Sequence, residues 1–276
     1  MSPLTLQSTA KLSSGYEIPL LGYGLWLNRD GIETVADAIK VGYRHIDVAQ
    51  SYGNEKEVGE GVRASGVPRS EIFVTSKIMN QNHGYESTLA GVQQSLNRLG
   101  FDYIDLFLIH DPLSGKERRL ATYRALLKLR DDGKVKSVGV SNYGIHHLQE
   151  IQAAGLELPA INQIEIHPFC QQKPIVEWCR KNNVVVEAYC PLIRGKMDHP
   201  VIVRIAEKHQ RDPGQILIRW SLQAGFIPLP KTANPARIRS NADVYNFELD
   251  ADDMKALNDL DQGAAGAISW NPVDAD

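Results

Sequence analysis

Four polar residues fall where short apolar runs stop. Asp47 ends "YRHIDVA", Lys77 lies in "IFVTSKI", His110 closes "YIDLFLIH", and Tyr52 follows five positions after Asp47 in "DVAQSYGNE". A phenol has an unperturbed pKa near ~10, so it stays protonated at neutral pH and can donate a proton. An ammonium beside it stabilises the phenolate left behind, which leads one to expect a lowered Tyr52 pKa. A carboxylate would hold the lysine in place, and an imidazole beside the phenol would orient a bound carbonyl. The set suits protonation of a developing alkoxide. Taken singly, a polar residue at a strand exit is ordinary. The weight lies in the combination on three successive strand ends.

Those ends belong to an alternating series. "PLLGYGLW" precedes the helical "GIETVADAIKVG", "YRHIDVA" precedes "NEKEVGEGVRASG", and "IFVTSKI" precedes "ESTLAGVQQSLNRLG". "YIDLFLIH", "SVGVSN", "INQIEIH", "VVVEAY" and "FIPLPK" each lead likewise into helical segments. Apolar residues three and four apart mark the helices, as in Val35, Ala38 and Ile39 before the stop at Gly42. Eight strand–helix pairs in 276 residues predict a (β/α)₈ barrel, one domain over residues 1–276. A doubly wound sheet is the alternative. Its dinucleotide fingerprint is not met: Gly22 and Gly24 are followed by Leu27, and Gly59, Gly61 and Ala64 lie inside a helical pattern. The first two glycines are therefore read as backbone geometry and the second group as helix packing. The remaining strand ends carry Ser141, Asn142, Gln163, Tyr189, Lys231 and Thr232.

Composition narrows the partners. Net charge is −3, and without a basic stripe nucleic acid is not expected as a partner. The opening "MSPLTLQSTAKLSSG" has no signal-peptide pattern, and the longest apolar run is interrupted by Glu187, so no membrane span is expected. Cys170, Cys179 and Cys190 lack metal or redox spacing and read as reduced structural thiols of a cytoplasmic protein. No metal site is proposed: His45, two residues before Asp47, reads as structural, His146 and His147 fall in a helix, His199 and His209 lie in exposed-looking polar contexts, and His167 has no partners nearby in sequence.

Over nearly its whole length the chain resembles the aldo-keto reductases. The motifs are "DVAQSYGNE", "VTSK", "IDLFLIH", "GVSN", "NQIEIHP", "AYCPL" and "PLPKTANPARIRSN". The resemblance implies a (β/α)₈ barrel whose N-terminal end is closed by a β-hairpin, here within "LTLQSTAKLSSGYEIPLL". It implies NADPH-dependent reduction of aldehyde or ketone carbonyls, with Tyr52 as acid, Lys77 as its partner, Asp47 as counter-ion and His110 orienting the carbonyl. Ser141, Asn142 and Gln163 would bind a nicotinamide carboxamide, Tyr189 would stack on its ring, and Leu192 would line the cofactor. Lys231, Thr232, Arg237 and Asn241 would hold the adenosine end and its 2′-phosphate. His110 and Asp111 would face the substrate, and Trp26, just past the first strand, is read as a pocket wall facing it or as a loop anchor. A monomer acting on a small-molecule carbonyl is expected.

Departures from the family pattern carry expectations of their own. Asp111 stands where an aromatic residue is usual; an unpaired carboxylate at the pocket mouth would make the pocket more tolerant of polar substrates and disfavour anionic ones, unless Arg194 offsets it. Ser240 replaces a common glutamate, Cys190 a common serine, and the short tail "QGAAGAISWNPVDAD" implies a more open pocket. Two other readings remain: a strand-end lysine, Lys77 or Lys231, forming a Schiff base, and a cofactor-binding sensor or structural protein without turnover. "NPARIRSN" reads as a short helix with Asn234 as cap and Pro235 early, bringing Arg237 back towards Lys231.

Overall fold

The computed structural model describes residues 4–28 and 30–276; Met1, Ser2 and Pro3 of the opening stretch, and Arg29, lie outside the described residues. An antiparallel hairpin comes first, β1 (Thr9–Lys11) and β2 (Glu17–Pro19). The alternating series follows: β3 (Gly22–Gly24), α1 (Gly31–Val41), β4 (His45–Asp47), α2 (Glu55–Ala64), β5 (Phe73–Ile78), α3 (Tyr85–Leu99), β6 (Ile104–Ile109) and α4 (Lys116–Asp131). Next come β7 (Val135–Ser141), α5 (Ile145–Ala153), β8 (Ile161–Glu165), α6 (Lys173–Lys181) and β9 (Val185–Tyr189). Two helices, α7 (Pro200–His209) and α8 (Pro213–Gln223), lead to β10 (Ile227–Pro228), α9 (Pro235–Ala242) and α10 (Ala251–Asn258).

Strands β3 to β10 form one eight-stranded sheet in strictly sequential order, and their pairings are parallel. The two edges meet: Gly24 N donates to Pro230 O at 3.0 Å, and Gly24 bridges Lys231 in parallel. A doubly wound sheet would reverse its strand order part-way. This one closes into a (β/α)₈ barrel. The closure explains Gly22, where a Cβ would lie 2.4 Å from Leu229 Cδ2 and 2.8 Å from the His45 ring. Gly59 is helix packing: a Cβ there would sit 1.9 Å from the Leu99 carbonyl at the end of α3.

The hairpin seals the end where the strands begin. Leu12 and Ile18 are buried with Phe73, Ile161 and Ile227, the first residues of β5, β8 and β10, and with Leu106. Burying such a side chain is worth about 1.5–3 kcal/mol, enough to hold a hairpin of three residue pairs in place. The strands' other ends are thereby the open mouth. Short β-branched strands make this arrangement because both their faces are covered, by helices outside and packed side chains within.

Candidate active site

Tyr52 reaches the mouth on a single helical turn, Gln50–Tyr52, just past β4, which Gly53 ends at a positive φ of 70°. Its neighbours in sequence pin that turn on three sides. Gln50 donates to Gly91 O and Ser95 Oγ of α3, both at 2.9 Å, and accepts from Met79 N and Asn82. Asn54 donates to Leu25 O and Asn28 O after β3. Glu55 accepts from Ser76 Oγ at 2.6 Å and from Arg98 Nε at 2.7 Å. A phenol carried on a surface turn thus has the placement of a core residue.

Lys77 is fully buried, and its ammonium donates to Asp47 Oδ1 at 2.6 Å, Val48 O at 3.1 Å and the Tyr52 hydroxyl at 3.3 Å. Its burial would favour loss of the proton, but the Asp47 charge and the Tyr52 contact outweigh that and raise its pKa. At Tyr52 the balance runs against expectation. Burial raises the phenol above its ordinary 10.0 although Lys77 pulls the other way, because a phenolate here would be stripped of water. The His110 ring lies 5.8 Å from that of Tyr52 at 73°. Burial, then the Lys77 and His83 charges, push His110 down to about 3, so it is neutral at physiological pH. Its Nδ1 lies 3.2 Å from Ser51 Oγ. With the serine hydroxyl donating there, the ring proton sits on Nε2.

A second group lines the mouth beyond β6. Ser141 Oγ donates to Gln163 O at 2.8 Å; Asn142, at φ 62°, donates to His110 O at 3.0 Å and accepts from the Tyr189 hydroxyl at 2.7 Å. Gln163 donates to Asp47 Oδ2 and Glu187 Oε2, both at 2.9 Å, and its Oε1 has no donor among the described residues. A third group stands apart at β10 and α9. Asn234 caps α9 as expected, accepting from Ala236 N and Arg237 N, with Pro235 next. Lys231 and Arg237 are exposed; Thr232 and Asn241 are buried, and both Leu192 and Asn241 face Gly214 at the start of α8.

Two further expectations need correcting. Asp111 is not an unpaired carboxylate: it is 5% exposed, and its Oδ1 accepts from Asn80 Nδ2 and Leu113 N, both at 3.0 Å. Its charge is spent on holding two loops together, and Arg194 lies elsewhere, over the Trp26 ring at 5.2 Å. Nor does the short tail leave the mouth bare. The Glu165 carboxylate accepts from Ile268 N at 2.5 Å and Ser269 N at 3.0 Å. That clamp sets Trp270, 52% exposed, edge-on to His110 with centroids 6.2 Å apart. Arg194 reaches Ser269 Oγ at 3.3 Å, so Trp26, Arg194, Ser269 and Trp270 form one rim. Ser51, Gln50 and Trp270 escaped the sequence reading. Only the position of Ser51 beside Tyr52 offered a signal.

A profile of the aldo/keto reductase family matches residues 21–262. The chain belongs to that family. It is 44% identical to a glyoxal reductase of Bacillus subtilis (strain 168) across 94% of this chain and 95% of that protein. It is 42% identical to a 9,11-endoperoxide prostaglandin H2 reductase of Trypanosoma cruzi (strain CL Brener), covering 91% of this chain and 90% of that one. Among solved structures, an aldo/keto reductase from Brucella melitensis superposes with a TM-score of 0.90 at 43% identity, covering 94% of this chain and all of that one. A Bombyx mori aldo-keto reductase in complex with NADP gives 0.89 at 32% identity, covering 98% of each chain. Among the described residues no cluster of His, Cys, Asp or Glu is arranged to hold a metal, and no helix is long and apolar enough to cross a membrane.

Proposed function

We propose that the chain reduces aldehyde or ketone carbonyls with NADPH, the proton coming from Tyr52. The observation that carries this reading is the buried contact of the Lys77 ammonium with both Asp47 and the Tyr52 hydroxyl. A phenol kept protonated by burial, with a fixed cation 3.3 Å away, loses its proton only when an acceptor oxygen becomes basic enough to take it. A substrate carbonyl oxygen would lie between the Tyr52 hydroxyl and the Nε2–H of neutral His110, polarised by both. As charge builds on that oxygen, Tyr52 gives up its proton and Lys77 stabilises the phenolate.

The chain's residues fit the cofactor. The bound dinucleotide would supply a hydride equivalent at the mouth. The free Oε1 of Gln163, with Ser141 and Asn142, would take its carboxamide, and the Tyr189 ring its nicotinamide face. Lys231, Thr232 and Arg237, at the capped start of α9, would take the 2′-phosphate, with Asn241 and Leu192 around the adenosine. The raised Lys77 pKa weighs against a Schiff base at that residue, since its amine is charged and lacks a free lone pair.

Tyr52→Phe tests the reading. Cofactor affinity should stay near wild type while single-turnover reduction falls by about 10²–10⁴. Retained reduction would overturn the proton-donor role. The pH dependence has a definite sign, since reduction consumes the Tyr52 proton and alcohol oxidation needs it absent. Reduction should therefore fall and oxidation rise as pH climbs towards the raised Tyr52 pKa.

A further inference from the structure

Beside the Asp47–Lys77 pair lies a second carboxyl with no assigned part in proton transfer. Glu187 stands mid-strand in β9, fully buried, in register with Gln163 of β8 and Ile227 of β10. Its Oε2 accepts from Gln163 Nε2 at 2.9 Å. Its Oε1 lies 3.4 Å from His45 Nε2 and has no hydrogen-bond partner among the described residues. The other N–H of the Gln163 amide goes to Asp47 Oδ2 at 2.9 Å. Both protons of one amide thus serve oxygens of two acids. Turning the amide over would set its own oxygen against both carboxyls, so the orientation is fixed.

Two carboxylates joined through one amide in a dry interior cannot both hold charge without compensation. Asp47 has the Lys77 ammonium at 2.6 Å. Glu187 faces His45 and Asp47 from β4, Lys77 from β5, the neutral Gln163 from β8 and the apolar Ile227 from β10. His45 offers no charge: burial first, then Lys77, push it down to about 3. For Glu187, burial and then the Asp47 charge push the carboxyl up to about 8, with Gln163 and Lys77 opposing. The neutral acid could donate from Oε1 towards His45 Nε2, an acceptor it would share with the Thr75 hydroxyl at 3.2 Å.

We propose that Glu187 is a positioning residue for proton transfer at Tyr52: protonated, it aligns Gln163 and leaves Asp47 as the sole negative charge beside Lys77, and ionised, it adds a second negative charge that holds the Tyr52 proton in place. The inference rests on Tyr52 being the proton donor. It links three groups in series, since Gln163 touches both acids, Asp47 touches Lys77, and Lys77 touches Tyr52.

Infrared titration of the wild-type protein reads the buried acid without turnover. The carbonyl stretch of a protonated carboxyl should be present at neutral pH, disappear with a midpoint near 8, and be missing in Glu187→Gln. Should that variant not fold, Asp47→Asn serves instead: with the neighbouring charge gone, the midpoint should move down. In single-turnover measurements, Glu187→Gln should shift the alkaline limb of reduction, and the onset of oxidation, to lower pH by on the order of one unit. A merely structural role would lower the rate at every pH and leave the profile's shape alone. No protonated-acid band at neutral pH, or profiles that superpose for variant and wild type, would overturn the proposal. Retained reduction in Tyr52→Phe would instead sink the proton-donor reading and the positioning role with it, while the band still reported the state of Glu187.

Discussion

The β4–β6 side of the mouth and the β10–α9 side hold their charges in opposite ways. On the first, the Lys77 ammonium is fully buried and its three donors are already engaged by Asp47, Val48 and Tyr52. On the second, Lys231 and Arg237 are exposed, and the neighbouring ion pairs belong to Arg211–Asp243 and Arg219–Glu248. A buried charge must be paired within the protein, because nothing else can solvate it. Exposed cations are solvated by water and can await an anion. One side is therefore organised by folding, and the other is left open for a ligand to complete.

Exchanging lysine for methionine on each side would break that contrast most sharply. Lys77→Met leaves Asp47 buried without its cation and should cost about 3–5 kcal/mol of stability as well as reduction. Lys231→Met should move stability by no more than roughly 0.5 kcal/mol. Urea unfolding of both variants measures the difference. Equal losses would mean that Lys231 is tied into the fold as tightly as Lys77.

Ligand binding should show the inverse ordering. Arg237→Ala removes a charge-assisted hydrogen bond from the expected 2′-phosphate site, worth about 1.5–3 kcal/mol, so NADPH affinity should fall by roughly 10- to 100-fold. NADH lacks that phosphate and should bind almost as before. Added salt should weaken NADPH binding to the wild type more than to the variant, since exposed charges are screened. Titrations that weaken both cofactors equally would move the phosphate elsewhere.

This division also explains what the sequence could disclose. Strand ends, spacing and family motifs carry Asp47, Tyr52, Lys77 and His110, because barrel topology alone brings successive strand ends together. The α9 cap is local, so Asn234 and Pro235 were legible as well. Gln50 and Ser51 were not, since their partners come from α3, from the turn after β5 and from the end of β6, tens of residues away. Glu187 looked like a break in an apolar run because period and composition do not show which buried groups share an amide. Trp270 was missed because tail length was used as a measure of openness. The clamp at Glu165, not length, decides where the tail lies.

Ser51 sharpens the comparison at smaller amplitude. Its hydroxyl touches His110 Nδ1 at 3.2 Å, and by donating there it would keep the ring proton on Nε2. Ser51→Ala frees the ring to exchange tautomers and to turn. Single-turnover reduction should drop several-fold, about 1 kcal/mol for one neutral hydrogen bond, with NADPH affinity unchanged. Nitrogen-15 NMR of the imidazole checks the tautomer directly. A wild-type ring protonated on Nδ1 would remove Ser51 from this role.

Asp111 is where the two sides' logic gives the smallest effect on reduction. Its place directly after His110 in the sequence invites a role in choosing substrates, but the carboxylate is buried and occupied by Asn80 and the Leu113 amide. It behaves like the internally paired side of the mouth, with a neutral amide and a backbone N–H in place of a cation. Asp111→Asn keeps the shape and one acceptor oxygen while removing the charge. Both donors share Oδ1, so the amide oxygen can still accept from each, and both contacts lose their charge assistance. Each hydrogen bond to a charged group is worth about 1.5–3 kcal/mol and a neutral one about 1, so with two bonds weakened stability should fall by about 1–4 kcal/mol. Reduction should change no more than two- or three-fold, as the loop between β6 and α4 relaxes slightly. The decisive feature is uniformity. A polar and an apolar aldehyde of similar size should be affected alike, because a side chain that faces Asn80 cannot discriminate between substrates. If kcat/KM moves in opposite directions for the two, the carboxylate swings into the pocket when substrate binds, and the paired description of this loop fails.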